Sequence, residues 1–385
     1  MGGLAFANAQ AKSGEPVKVF RMGPDIYKSL SAHYQRLLQT VFERVVVPRE
    51  SPAKKDHGDI DFLVDGIRPP TTKVDLCQVI QQILGADVHI QNGSSSSYAV
   101  PHPEIPGAHV QVDVELSVGE GTSESTELFE WTRFMKGDSD LLQILGVTHR
   151  ALGLTCNDRG LHVRVEEVEV YNKKKGLIFL TRDPNAVMEF YGLDVEKYWT
   201  GFTDENDLFD WASSGRFFSS AAFAGRVEKH NDRARQAKRS MYQHFVEKYV
   251  PAHTEKGATN TWTRQEVLQD ALISFNKQAE YDAMIEEHNL KTREEELWKE
   301  IKVAVPVPIN KLDPVMKGLR RWVEFADGQP RIASVPNLKE PLVWSKYVSE
   351  HNKDAALEWV KQNWEKVKSL EKKRANAAKQ TAKKA

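Results

Sequence analysis

Apolar and polar positions recur with two different periods along the first half of the chain. After Gly23-Pro24-Asp25, where Pro suits a first helical turn and Asp suits the positive end of the helix dipole, the positions Tyr27, Leu30, Tyr34, Leu37, Leu38, Val41, Phe42 and Val45 form one apolar stripe at helical spacing. Val46-Val47-Pro48 ends it, so the pattern predicts a helix from 23 to 45. A polar loop over 49–58 then leads into Asp59-Ile60-Asp61-Phe62-Leu63-Val64, a strand closed by the turn pair Asp65-Gly66 and by Pro69-Pro70. A second helix is predicted over 73–84, with Val74, Cys77, Ile80, Ile83 and Leu84 on one side. Short β-like pieces at 87–91 and 97–100 flank a Gly/Ser hairpin tip, and 109–116 alternates most regularly of all. Helical patterns at 128–134 and 141–145 follow, then a strand pair at 161–166 and 168–171.

From Asp183-Pro184 onward the pattern is mainly helical, with helices predicted over 223–249, 264–288, 291–302, 313–325 and 343–370. Tryptophan use shifts at the same place: Trp131 stands alone before residue 190, and eight more follow. The pattern therefore predicts an α+β protein, a mixed β-sheet flanked by helices followed by a mainly α-helical domain. The expected divisions are a flexible N-terminus at 1–22, the sheet-bearing domain at 23–180, the helical domain at 181–370, and a basic Lys/Ala-rich tail at 371–385.

Composition adds little until charge is read locally. The 385 residues carry a net charge of -1, but 366–385 holds eight basic residues against one acid, which leaves -8 on the rest. With the basic stretch 226–239, that tail forms a candidate contact for RNA phosphates, although such runs are more often solvated helix faces. Cys77 and Cys156 lack metal-ligand or disulfide spacing and fit a reducing, intracellular setting, cytoplasmic or nuclear. The acid-poor start leaves a mitochondrial address open. No apolar run reaches membrane-spanning length, so no membrane partner is expected.

Chemistry is concentrated in two strands. Alternation puts Asp59 and Asp61 on one face of the first, opposite Ile60, Phe62 and Val64, and puts Gln111, Asp113 and Glu115 on one face of the second. Side by side, these strands gather carboxylates that repel one another unless a cation sits among them, and Mg2+ (or Mn2+) suits such hard oxygen donors. A half-solvated sheet face also alternates in this way, so the bare pattern leaves both readings standing.

The run Asp56-His57-Gly58-Asp59-Ile60-Asp61-Phe62-Leu63-Val64 resembles the signature of the nucleotidyltransferase superfamily typified by DNA polymerase beta and poly(A) polymerases. Val110-Gln111-Val112-Asp113 is similar to its third-carboxylate strand. The resemblance implies that Asp59, Asp61 and Asp113 are metal ligands and catalytic residues, and that Asp113 activates the attacking hydroxyl. It implies transfer of a nucleoside monophosphate from a nucleoside triphosphate to an RNA or other hydroxyl acceptor. Pieces near 177–184, 191–194 and 215–218 resemble uncharacterised viral and fungal relatives.

One departure stands out. Where the superfamily carries a Gly-Ser or Gly-Gly pair, this chain reads Val47-Pro48-Arg49-Glu50-Ser51-Pro52-Ala53-Lys54-Lys55. Prolines lack amide donors, so Ser51 and a lysine, Lys55 or Lys54, together with Gly58 at the bend, become the candidate nucleotide contacts. The departure keeps open an inactive descendant that binds RNA or protein.

Overall fold

A computed structural model describes residues 5–11, 14–52, 54–224 and 239–382. The protein is α+β: a mixed sheet flanked by helices, followed by a mainly helical C-terminal region. The chain divides into two compact units, 1–278 and 279–385. Of the basic stretch 226–239, all but Arg239 lies outside the described residues.

In the first unit, helix α1 (Pro24–Leu38) is followed by strand β1 (Phe42–Val46) and strand β2 (Asp59–Ile67). Helix α2 (Leu76–Leu84), the hairpin of β3 (Val88–Asn92) and β4 (Ser95–Pro101), and strand β5 (His109–Leu116) complete the motif. The sheet order is β1-β2-β5-β4-β3, with β2 and β5 parallel and every other pair antiparallel. One face carries Ile60, Phe62, Val64, Val110, Val112, Val114 and Tyr98, all buried against α1 and α2. At about 1.5–3 kcal/mol for each large apolar side chain removed from water, this face anchors the sheet. The opposite face holds Asp59, Asp61, Gln111 and Asp113.

Three sequence expectations change here. The stripe beyond Leu38 is not helix: Val41 follows a turn, and Phe42–Val46 pairs with β2 from Phe42↔Ile67 to Val46↔Leu63. The β-branched run Val45-Val46-Val47 fits the open sheet edge better than another helical turn. Asp65-Gly66 does not close β2, which continues to Ile67 with Gly66 at a φ of +73°. Residues 166–169 form a helical turn, and the strand that follows is Leu177–Thr181.

Helices α3 (Ser125–Lys136) and α4 (Leu141–Ala151) follow β5. Strands β6 (Leu154–Asn157), β7 (Gly160–Arg164) and β8 (Leu177–Thr181) form a second, three-stranded sheet. Asp183 caps the helix Pro184–Tyr191 by accepting from the Asn185 amide, and Asp204 caps Glu205–Ser214 by accepting from Asp207. Residues 264–288 are not one helix: Arg264–Ser274 ends in Phe275 and in Asn276, whose φ is +53°.

The second unit packs the long helix Gln278–Ala304, the helix Asp313–Arg321 and the helix Lys353–Ala382 around Trp298, Trp344 and Val360. A small hairpin, Val323–Ala326 with Gln329–Ile332, interrupts the helix expected over 313–325. Among the described residues no helix is long and apolar enough to cross a membrane.

Candidate active site

Strand β2 delivers Asp59 and Asp61 to a cavity of about 1000 Å³. The register sets Asp61 directly beside Asp113 of β5, and Asp59 beside Gln111. Parallel neighbours lie roughly 4.8 Å apart, so three carboxylates share a small area of one face. The side chains of Asp59 and Asp61 make no hydrogen bond or ion pair among the described residues. Asp61 opens onto the cavity, yet the surrounding walls take it out of bulk water, and that desolvation, followed by repulsion from Asp59, pushes its carboxyl up to about 6. Burial also raises Asp59, with Asp113 adding to it. Asp113 is raised by burial too, against hydrogen bonds from Ser97 and Gln111 that favour its charged form.

Asp113 does not line the cavity. Gln111 Nε2 donates to both of its oxygens, at 3.0 and 2.9 Å. Among the described residues no three His, Cys, Asp or Glu side chains already form a cage for a metal ion. The donor chemistry nonetheless fits a hard divalent cation: two uncommitted carboxylates with raised proton affinity face open space, and a third stands in register beside them.

The loop 48–56 forms the facing wall. Ser51, Lys54 and Lys55 all line the cavity, whereas Gly58 is buried at the bend into β2 and lies outside the lining. The Ser51 amide donates to Ser139 Oγ at 3.2 Å, and the Ser51 hydroxyl donates to the Met241 sulfur at 3.3 Å. The loop is held without glycine. Arg49 donates to both Asp138 oxygens, at 2.7 and 2.6 Å, and to the Tyr198 carbonyl, and the Asp138 amide returns a bond to the Arg49 carbonyl. Behind it, His57 stacks on Tyr27 with ring centroids 3.6 Å apart, and burial pushes its pKa down.

Most cavity cations are already neutralised. Arg21 pairs with Asp56 at 2.7 Å, Lys54 with Glu50 at 2.5 Å, Lys136 with Glu115 at 2.7 Å, and Arg239 with Asp140 at 2.6 Å. With Arg49–Asp138, that leaves Lys55 as the cavity cation without a partner among the described residues. Sequence reading missed Arg21, Arg49, Lys136 and Asn206 as lining residues. Lys136 in the last turn of α3 reads locally as a helix-end charge, and Arg49 finds Asp138 only 89 residues later, so neither leaves a local signal.

No family model matches the chain, and no curated protein matches it in sequence. Among solved structures, the crystal structure of a Leishmania infantum polymerase beta, a ternary P/T complex, matches with a TM-score of 0.33 and 12% identity, over 46% of this chain and 74% of that one.

Proposed function

We propose that the protein is a divalent-metal-dependent nucleotidyltransferase that moves a nucleoside monophosphate from a triphosphate to a hydroxyl acceptor, RNA first among them. The observation that carries the reading is the pair Asp59 and Asp61, unpartnered among the described residues on the floor of a large cavity, with Asp113 in register beside them. Asp59, Asp61 and Asp113 would hold Mg2+ or Mn2+, which would supply the positive charge that a triphosphate needs to approach these carboxylates. Asp113, its proton affinity raised by burial, takes the proton of the attacking hydroxyl. Ser51 and Lys55 receive phosphate oxygens on the facing wall, and buried Gly58 shapes the bend that aims β2.

On this reading residues 23–180 carry the chemistry and helices within 181–370 hold the acceptor, helped by the basic stretches 226–239 and 366–385. Free Cys77 and Cys156 suit an intracellular compartment. Incubation with each labelled nucleoside triphosphate, an RNA pool and Mg2+ should yield transfer that falls by about 10²–10³-fold or more in Asp61→Asn. No transfer with any donor, together with no Mn2+ binding by calorimetry, refutes the proposal.

A second reading, a non-catalytic RNA-binding module, draws on the paired state of the cavity cations and on the glycine-free loop. It requires RNA binding that ignores Asp59→Asn and Asp61→Asn but weakens when 366–385 is deleted.

A further inference from the structure

The N-terminal segment docks on the same sheet face as the three aspartates. Phe6 and Val17 are buried there with Ala99 of β4, and half-buried Val19 and Val88 pack against them. The backbone at 18–20 bridges to His109 at the start of β5, and Met22 pairs with His57 just ahead of β2. At the head of this segment the Ala5 amide donates to Gln111 Oε1 at 3.1 Å.

That one bond settles the orientation of a buried amide. Gln111 is 4% exposed, and with its oxygen accepting from Ala5 its nitrogen must face the other way. It faces Asp113, donating to both carboxylate oxygens. Ser97, opposite Asp113 on β4, adds a further hydrogen bond. Asp113 is thereby held back from the cavity wall that takes in Asp59 and Asp61.

We infer that Gln111 is a positioning residue for Asp113, and that the N-terminal segment, through the Ala5 amide, sets the orientation in which Gln111 does so. The inference rests on Asp113 being the third carboxylate of the proposed site. An amide donor on both oxygens favours the ionised form against burial and fixes the carboxylate plane while leaving lone pairs free on the side away from Gln111. Residues that orient a ligand in this way typically govern metal affinity and turnover over about a 10–100-fold range. The N-terminal segment is then part of the active site, although it lies outside the sheet that carries the aspartates.

The test compares full-length protein, Gln111→Leu, Gln111→Met, Asp113→Asn and a chain lacking residues 1–10. Nitrogen-15 NMR follows the Gln111 side-chain amide, calorimetry follows Mn2+, and steady-state transfer assays separate kcat from KM. The expected result is a Gln111 amide slow to exchange in the wild type and displaced by both Asp113→Asn and the deletion. Mn2+ affinity and kcat should fall about 10–100-fold in the two Gln111 variants and in the deletion, with the donor KM within about twofold. Gln111→Met keeps the length of the side chain and loses the donor without adding a charge, so a space-filling role would spare it whereas the positioning role does not. Wild-type Mn2+ affinity and kcat in Gln111→Met, or an amide indifferent to Asp113→Asn, would overturn the inference. A wild type that neither transfers nor binds Mn2+ refutes the proposed function instead, and the amide measurement then decides the Gln111 inference by itself.

Discussion

The contact that holds the cavity wall, Arg49 on Asp138, sets up an unequal pair of substitutions. Asp138 is buried, with 1% of its side chain exposed, whereas Arg49 keeps 33% of its side chain in contact with water. Arg49→Ala therefore strands a carboxylate with no route to solvent, and breaking a buried pair in that way costs about 3–5 kcal/mol. Asp138→Asn leaves a guanidinium that rehydrates and still stacks over the Tyr198 ring at 4.5 Å, so about 1–3 kcal/mol is expected. Asn also tolerates the left-handed backbone at this position, where φ is +55°, so the asparagine variant isolates the loss of charge from backbone strain. The pH dependence follows from the direction of the Asp138 shift. Burial raises its pKa while Arg49 pulls it down, and removing Arg49 leaves burial unopposed. A carboxyl whose native pKa exceeds its unfolded value takes up a proton on folding, which stabilises the native state at low pH, and the benefit is lost as pH rises through the native pKa. The cost of Arg49→Ala should accordingly be smaller at pH 5 than at pH 8. Hydrogen exchange of β2 peptides across a urea series, read by mass spectrometry, reports on the unit at 1–278 directly. Equal costs at the two pH values, or a larger loss in Asp138→Asn than in Arg49→Ala, would refute the reasoning.

Metal-free Asp61→Asn should be more stable than the wild type at pH 7–8. The native carboxyl near 6 represents roughly 3 kcal/mol of opposed ionisation, and its contact with cavity water reduces that to about 1 kcal/mol, with no gain expected at pH 4 in thermal melts. Mn2+ should raise the melting temperature of the wild type and not of the variant. Gly66→Ala should cost about 1–3 kcal/mol in urea unfolding, because φ is +73° and a Cβ there would sit 2.8 Å from the Glu43 Cβ. Lys55→Ala should raise the donor KM severalfold and leave kcat and the unfolding midpoint unchanged, and an unchanged KM would remove Lys55 from the phosphate wall.

What the sequence discloses here depends on how far apart the interacting residues lie. Strands β2 and β5 are legible because each buries one face, and period-two alternation records that burial directly, so the shared face of Asp59, Asp61, Gln111 and Asp113 follows from pattern alone. Phe42–Val46 is misread because Val41, Phe42 and Val45 extend the α1 stripe in phase, and only the pairing with β2 shows that they belong to a sheet edge. The break at Phe275–Lys277 and the hairpin at 323–332 fail for a similar reason, since short polar turns inside helical composition leave little periodic trace. Arg49–Asp138, Lys136–Glu115 and Ala5–Gln111 join residues 89, 21 and 106 positions apart, and no local pattern encodes such partners.

The glycine-free loop has a consequence for how phosphate would be received. A Gly-Ser loop offers backbone donors that carry no counter-charge, whereas this wall offers side-chain cations that mostly have one. A phosphate group must therefore either use Lys55 or displace a carboxylate from its partner. The pairs differ in how readily they yield. Arg49–Asp138 cannot open without stranding a buried charge, and it also supports the loop. Arg21–Asp56, with half or more of each side chain in water, gives up little when its partners separate, because solvent replaces what is lost. Lys136–Glu115 is intermediate in exposure and lies near the aspartates, where Lys136 already favours the ionised forms of Asp61 and Asp113. On the proposed function, binding a triphosphate is thus an exchange of ion partners at the exposed rim around a fixed clamp. The wall keeps its shape because its most buried pair is the one that cannot take part.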